Sequence, residues 1–176
     1  MLTLAIGEAE LRSLEPWQAA EFAAYTARHR AHLGPWLPWA RSVVDEASAR
    51  AFLQRYADAT ALDHGRIYAL WQDGEMVGGT LFRVFEPTSG TCEVGVWLSQ
   101  QATGRGLVTR AVEAMVAWAV DVRGMTRVEW RCVPENLPSR AVAQRLGFRH
   151  EETLPAAFEH DGRSWDLEVW VLLAAG

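Results

Sequence analysis

Lysine is absent from this chain of 176 residues, and all 17 of its basic side chains are arginine. Two classes of chemistry leave with it. A Walker-type phosphate loop needs its lysine, and imine-forming catalysis needs a lysine amine. Asparagine is nearly absent too, occurring once, at Asn136. The two cysteines, Cys92 and Cys132, lie in strand-like segments without ligands at Cys-x-x-Cys spacing. They read as buried free thiols rather than a bridge or a metal pair, a usage that suits a reducing cytoplasm. The five histidines form no ligand pattern; only His29 and His32 could share a helix face, where surface placement is expected. No metal is therefore expected. No apolar run approaches the ~20 residues that cross a bilayer. The first six residues are apolar but lack a basic start, and Glu8 and Glu10 follow at once, so a signal peptide is not expected either.

What is present suits one globular domain over 1–176, with 49% apolar and 22% charged residues. A net charge of −5 argues against nonspecific nucleic-acid binding and tolerates a cationic acceptor. Patterning predicts a strand at 10–14, then a helix from Pro16 to about residue 32, broken by Gly34, Pro35 and Pro38. A second helix over 45–60 carries Asp45 as its cap. Strands at 66–72 and 76–84 flank Asp73-Gly74, a hairpin signal. A turn at 86–90 leads to a strand at 93–98, a helix over 107–122, a strand at 127–133 and a short helix ending at Gly147. Two closing strands flank Asp161-Gly162. The order βααβββαβαββ, hairpins on one side and βα units on the other, means a mixed α+β sheet.

One loop stands out, Gln101-Ala102-Thr103-Gly104-Arg105-Gly106, between the 93–98 strand and a helix that places Val108, Ala111, Val112, Met115, Ala119 and Val122 on one face. Two glycines opening a helix expose unpaired N–H groups at its positive end, which suits a phosphate or pyrophosphate. The rival fingerprint, Gly-x-Gly-x-x-Gly of dinucleotide-binding folds, fails at Thr109, although Glu129 could pose as its ribose acid. A second motif follows one helix and one strand later: Asn136-Leu137-Pro138-Ser139, then a short helix closing on Gly147-Phe148.

Together, Gln-x-x-Gly-x-Gly and Asn-x-x-Ser with a terminal Gly-Phe resemble the GNAT superfamily of N-acetyltransferases, from about residue 65 to the end. Upstream, His32-Leu33-Gly34-Pro35-Trp36-Leu37-Pro38-Trp39 looks like the branch that acetylates ribosomal-protein N-termini, the RimJ/RimL type. The resemblance implies a mixed, mostly antiparallel sheet of about seven strands with about four helices, whose two central strands splay apart to admit acetyl-CoA. The pyrophosphate is expected on the backbone of Gln101 to Gly106, with Thr103, Gly104 and Arg105 between them, and Leu107, Val108 and Asn136 also count among the cofactor-binding residues. The pantetheine arm would pair with Val96, Trp97 and Leu98, where a backbone N–H meets the thioester carbonyl.

Many members carry a tyrosine where this chain has Ala143. Ser139 lies one helical turn earlier on the same face, and the ribosomal branch is similar in using serine there, so Ser139 is the candidate acid for the leaving thiolate. Its plain alternative is a cap. For the base, Glu93 is a carboxylate in an apolar run, where burial could raise its pKa towards neutrality and let it relay through water; a solvated strand end is the alternative. The branch's usual carboxylate position is Phe158 here, with Glu159 beside it. Trp36 and Trp39, between prolines, are candidate walls of the acceptor pocket, or else pack on the sheet or across a dimer interface. Trp118, Trp130 and Trp170 are expected in the core. The expected enzyme is cytoplasmic and transfers acetyl directly from acetyl-CoA to a primary amine, since no cysteine or lysine is placed to carry it. A protein N-terminal α-amine is the first acceptor, and a small amine (antibiotic, polyamine or amino-acid derivative) the second. A noncatalytic acyl-CoA-binding module is the rival class. No nucleic-acid or membrane partner is expected, and a homodimer stays open.

Overall fold

Left-handed turn residues set the hairpins from which most of the sheet is built. Gly7 (φ 63°) turns β1 (Thr3–Ile6) into β2 (Ala9–Ser13). Asp73 and Gly74 (φ 51° and 82°) join β3 (Arg66–Gln72) to β4 (Glu75–Glu86), and Asp161 and Gly162 (φ 57° and 68°) join β7 (Arg149–His160) to β8 (Arg163–Leu173). Two consecutive residues at positive φ give the turn whose twist matches that of paired strands. With β5 (Thr91–Leu98) and β6 (Arg127–Cys132) the strands form one sheet in the order β1-β2-β3-β4-β5-β6-β8-β7. This is a computed structural model, and it describes residues 3–174.

Among the described residues the mixed sheet has eight strands and is flanked by five α-helices, rather than the about seven and about four that the resemblance implied. The extra strand, β1, has three exposed residues out of four and so no alternation to betray it. The extra helix, α2 (Pro38–Ser42), lies in the proline-rich break. Its C-terminal carbonyls are held from α1 (Ala19–Leu33), where the Arg30 guanidinium donates to the carbonyls of Ala40 (3.1 Å) and Val43 (2.8 Å). That is a tertiary cap invisible to local pattern. The next helix, α3 (Glu46–Ala61), is capped as expected, the Ser48 N–H donating to Asp45 Oδ1 at 2.8 Å. On the other side α4 (Leu107–Ala117) ends in a π turn over Trp118–Val122, and α5 (Leu137–Arg145) follows β6.

Alternation divides the core between two faces. Along β5, Cys92 and Val94 join Phe82, Phe85, Val112, Met115, Val128 and Trp130 beneath α4 and α5. Trp97 turns the other way and joins Phe22, Phe52, Leu53, Trp71 and Leu81 beneath α1, α2 and α3. Room for the Trp97 indole is made by Gly79. A Cβ there would lie 2.2 Å from Trp97 Cζ2 and 2.5 Å from the Tyr68 carbonyl oxygen, closer than atoms can pack.

The two faces are tied at one end by a charged clip. Asp63, at φ 60° after α3, accepts from Arg66 (2.6 Å) and Arg123 (3.0 and 2.5 Å). Both guanidiniums also lie 4.7–5.2 Å from the rings of Phe85 and Trp118. The hydrogen bonds from Arg123, then those from Arg66, hold the Asp63 carboxyl well below the usual carboxylate range. A depressed folded-state pKa stabilises above the unfolded value of about 4 and stops doing so as pH falls through the folded value. Asp63→Asn is therefore expected to lower stability at pH 7 by about 1 kcal/mol, the upper end for partly exposed pairs. In urea unfolding, the gap between the two proteins should close as pH drops below about 4. A gap independent of pH would assign the loss to packing instead.

Candidate active site

The site forms because β5 and β6 stop pairing. They run parallel only from Thr91–Glu93 against Arg127–Glu129; beyond that β5 stays with β4, and β6 with β8. The Ser99 N–H donates to the Val77 carbonyl (2.8 Å). Because an antiparallel ladder alternates, Trp97 and Gly95 also turn their main chain to β4, and Val94, Val96 and Leu98 turn theirs to the gap. Of the three residues expected along the pantetheine arm, Val96 and Leu98 thus turn main-chain groups to the gap. Trp97 offers its side chain to the opposite face.

At the end of the gap the chain turns through Gln100–Ala102 and enters α4. Gly104 and Gly106 have φ of 80° and 71°, a conformation only glycine adopts without strain. No side chain caps α4, so the N–H groups of Leu107, Val108 and Thr109 stay available for an anion. Gln101, Gly104, Arg105 and Gly106 are exposed around this cradle. Other loop side chains are committed elsewhere: the Thr103 hydroxyl donates to the Gln100 carbonyl (2.7 Å), and Leu107 is buried with Ala9 and Ala102. Any contact from Leu107 to a phosphate is therefore a main-chain one.

Across the gap lies α5. The Ser139 N–H donates to Asn136 Oδ1 (3.2 Å), so Asn136 caps the helix with its carbonyl end. The Trp130 indole N–H donates to Ser139 Oγ at 2.9 Å. That bond occupies one lone pair of the hydroxyl and leaves its own O–H to donate elsewhere. Cys132 lines the same cavity. Burial pushes its thiol up to about 11, which keeps it protonated at neutral pH and a poor nucleophile.

On the side of α1 to α3 the cavity, about 750 Å³ in all, is walled by Trp36, Trp39, Phe52, Tyr56, Trp97 and Phe158. Trp39 meets Trp97 edge-on at 5.3 Å and packs on Phe22 and Phe52, so it is both core and wall. The β7–β8 hairpin is drawn over this wall by two contacts. The His160 Nε2–H donates to the Gly34 carbonyl (2.7 Å), and Arg41 pairs with Asp161.

Glu93 does line this cavity and is 7% exposed, but its surroundings are not the apolar ones expected. Arg83 grips both of its oxygens, with Nε at 2.6 Å from Oε1, and Arg131 Nε stands 3.5 Å from Oε2. Arg83 is the extra residue of a bulge in β4, where the register jumps between Phe82 and Val84; bulges of this kind re-aim a side chain. Burial lifts Tyr56, to about 12. Arg83, Tyr56 and Trp130 were missed as site residues, although Arg83 carries the signal that marked Glu93, a lone charge within an apolar run.

A divided sheet whose gap joins a glycine-shaped anion cradle to a polar helix start defines an enzyme that binds an acyl-CoA. The GNAT acetyltransferase domain profile matches residues 10–149, and the chain belongs to that family; it is an acetyltransferase that uses acetyl-CoA. It is 26% identical over 168 residues, 93% of this chain and 90% of the relative, to the “Putative ribosomal N-acetyltransferase YdaF” of Bacillus subtilis. The ribosomal-protein-serine acetyltransferase of Escherichia coli is 26% identical over 69% of this chain and 68% of its own. Among solved structures, the RimL ribosomal L7/L12 α-N-protein acetyltransferase in complex with coenzyme A superposes with a TM-score of 0.91, at 22% identity and 98% coverage of both chains.

The cradle yields a direct test. Gly106→Asp adds a Cβ at positive φ and a negative charge where phosphate must approach, so calorimetry should find acetyl-CoA affinity reduced at least about a hundredfold. Unchanged affinity would move the pyrophosphate elsewhere.

Proposed function

We propose that this enzyme transfers the acetyl group of acetyl-CoA directly to the α-amine of a protein or peptide N-terminus. The observation that carries the reading is one continuous cavity, running from the Trp36–Trp39 wall through the gap to Ser139. Such a space accepts an extended chain from one side while the thioester enters from the other. A preformed aromatic wall loses little entropy on closing over a peptide. The names carried by relatives of similar length point the same way.

Bound acetyl-CoA supplies the acetyl group and leaves as a thiol. The α4 N-terminus and Gly104 to Gly106 hold its pyrophosphate, and the main chain of Val96 and Leu98 pairs with its arm. An N–H of that strand polarises the thioester carbonyl. Ser139, oriented by Trp130, gives its proton to the departing sulfur. Glu93 acts as a positioning residue that fixes Arg83 and Arg131 at the wall, since both of its oxygens are engaged by guanidiniums. The amine, with an ordinary pKa near 8, loses its first proton to solvent, and the second, shed as the C–N bond forms and the C–S bond breaks, restores the Ser139 hydroxyl through solvent.

Ser139→Ala is expected to lower kcat by about 10²- to 10⁴-fold, the usual worth of a general acid, with acetyl-CoA affinity nearly unchanged. Trp130→Phe keeps the ring but frees Ser139, and should lower kcat by a smaller factor. A fall below about threefold in Ser139→Ala would reduce Ser139 to a cap. Glu93→Gln should depress kcat/KM while leaving its rise with pH in place. Loss of that rise would restore Glu93 as the base. Turnover of small amines with none on any peptide would reject the N-terminal acceptor.

A further inference from the structure

The acceptor half of the cavity carries an uncommitted positive charge. Its charged lining residues are Arg55, Arg83, Arg131 and Glu93. Glu93 is fully engaged by Arg83, and Arg131 also pairs with Glu129 at 2.8 Å. Arg55 has no carboxylate partner among the described residues. The nearest candidate on its own helix, Asp58, accepts instead from Gln54 (2.8 Å). The Arg55 guanidinium rests 5.3 Å from the Phe52 ring, which lines the same cavity, so the charge is held at the wall rather than left to wander. Tyr56, beside it, feels the charges of Arg83, Glu93 and Arg55 together. In a chain of net charge −5, a wall that is locally positive runs against the global balance.

We propose that Arg55 is a specificity determinant that binds a carboxylate of the acceptor, an Asp or Glu side chain in the second or third position behind the reactive N-terminus. This rests on the peptide reading above and narrows it. An acceptor with basic residues there meets repulsion at the wall, as does a polyamine. The overall negative charge, which tolerated a cationic acceptor, is overruled by the local field.

The test is a set of peptides sharing one N-terminal residue and differing only at the second and third positions: Asp, Asn or Lys. With thiol release as the readout, the expected KM is lowest for Asp and highest for Lys, by about fivefold or more, the worth of one partly exposed charge pair at each step. Arg55→Gln should level the series, and Arg55→Glu should invert it, with the KM for acetyl-CoA unchanged in both. Arg55 is exposed, so neither variant threatens folding, and unchanged acetyl-CoA affinity checks that. A wild-type preference for Lys, or an Asp preference that survives Arg55→Gln, would overturn the inference. If no peptide reacts but small amines do, the peptide reading falls by itself. The charge inference is then read from matched amines with and without a carboxylate, and must show the same loss in Arg55→Gln to stand.

Discussion

The early parting of β5 and β6 is the constraint on which the rest of this molecule depends. Parallel strands that pair for three residues and then separate leave a row of backbone donors and acceptors inside the domain, where unsatisfied polar groups cost heavily. The fold tolerates the row because it borders an open cavity that a strand-like ligand arm can complete. The groups proposed to take part in acyl transfer are arranged around that opening. The anion cradle lies at the end of β5, the serine just past the end of β6, and the aromatic wall across the face that Trp97 faces. One departure from regular pairing thus creates the binding channel and brings together groups far apart in the chain.

Arginine performs every structural task that lysine might share in another protein. Arg30 caps α2, Arg83 and Arg131 bracket Glu93, and Arg66 and Arg123 stack on aromatic rings while gripping Asp63. A planar guanidinium can bond in its plane and stack on its faces at once, which an ammonium cannot. The wealth of tryptophan and phenylalanine beside these cations makes full use of that geometry.

Much of this was legible in the chain. The strand at 66–72, the Asp45 cap and the hairpins at Asp73-Gly74 and Asp161-Gly162 appear where pattern and turn chemistry put them. So does the turn from Gln101 to Gly106 into α4, because glycine at positive φ before an apolar-faced helix is a local signal. What escaped reading was tertiary. β1 has too little buried surface to show alternation, and α2 depends on an arginine of another helix. The ion pairing of Glu93 follows from a bulge that shifts β4 by one residue, which no single strand reveals. The bond from Trp130 to Ser139 joins a residue expected only in the core to the candidate acid, and no local pattern pairs the two. His160, passed over among the histidines, reaches Gly34 across 126 positions of chain.

The contact between Gly79 and Trp97 has an evolutionary corollary. The floor of the acceptor cavity is a layer in which an indole lies directly on bare backbone, so it has no slack in either direction. A larger residue beneath collides, and a smaller one above leaves a void beside Trp39 and Phe52. Drift in acceptor preference would therefore be channelled to the rim, where Trp36, Arg55 and Phe158 border the opening without holding up the sheet. A rigid floor beneath a rim free to change would let acceptor preference shift while the thioester chemistry stays put.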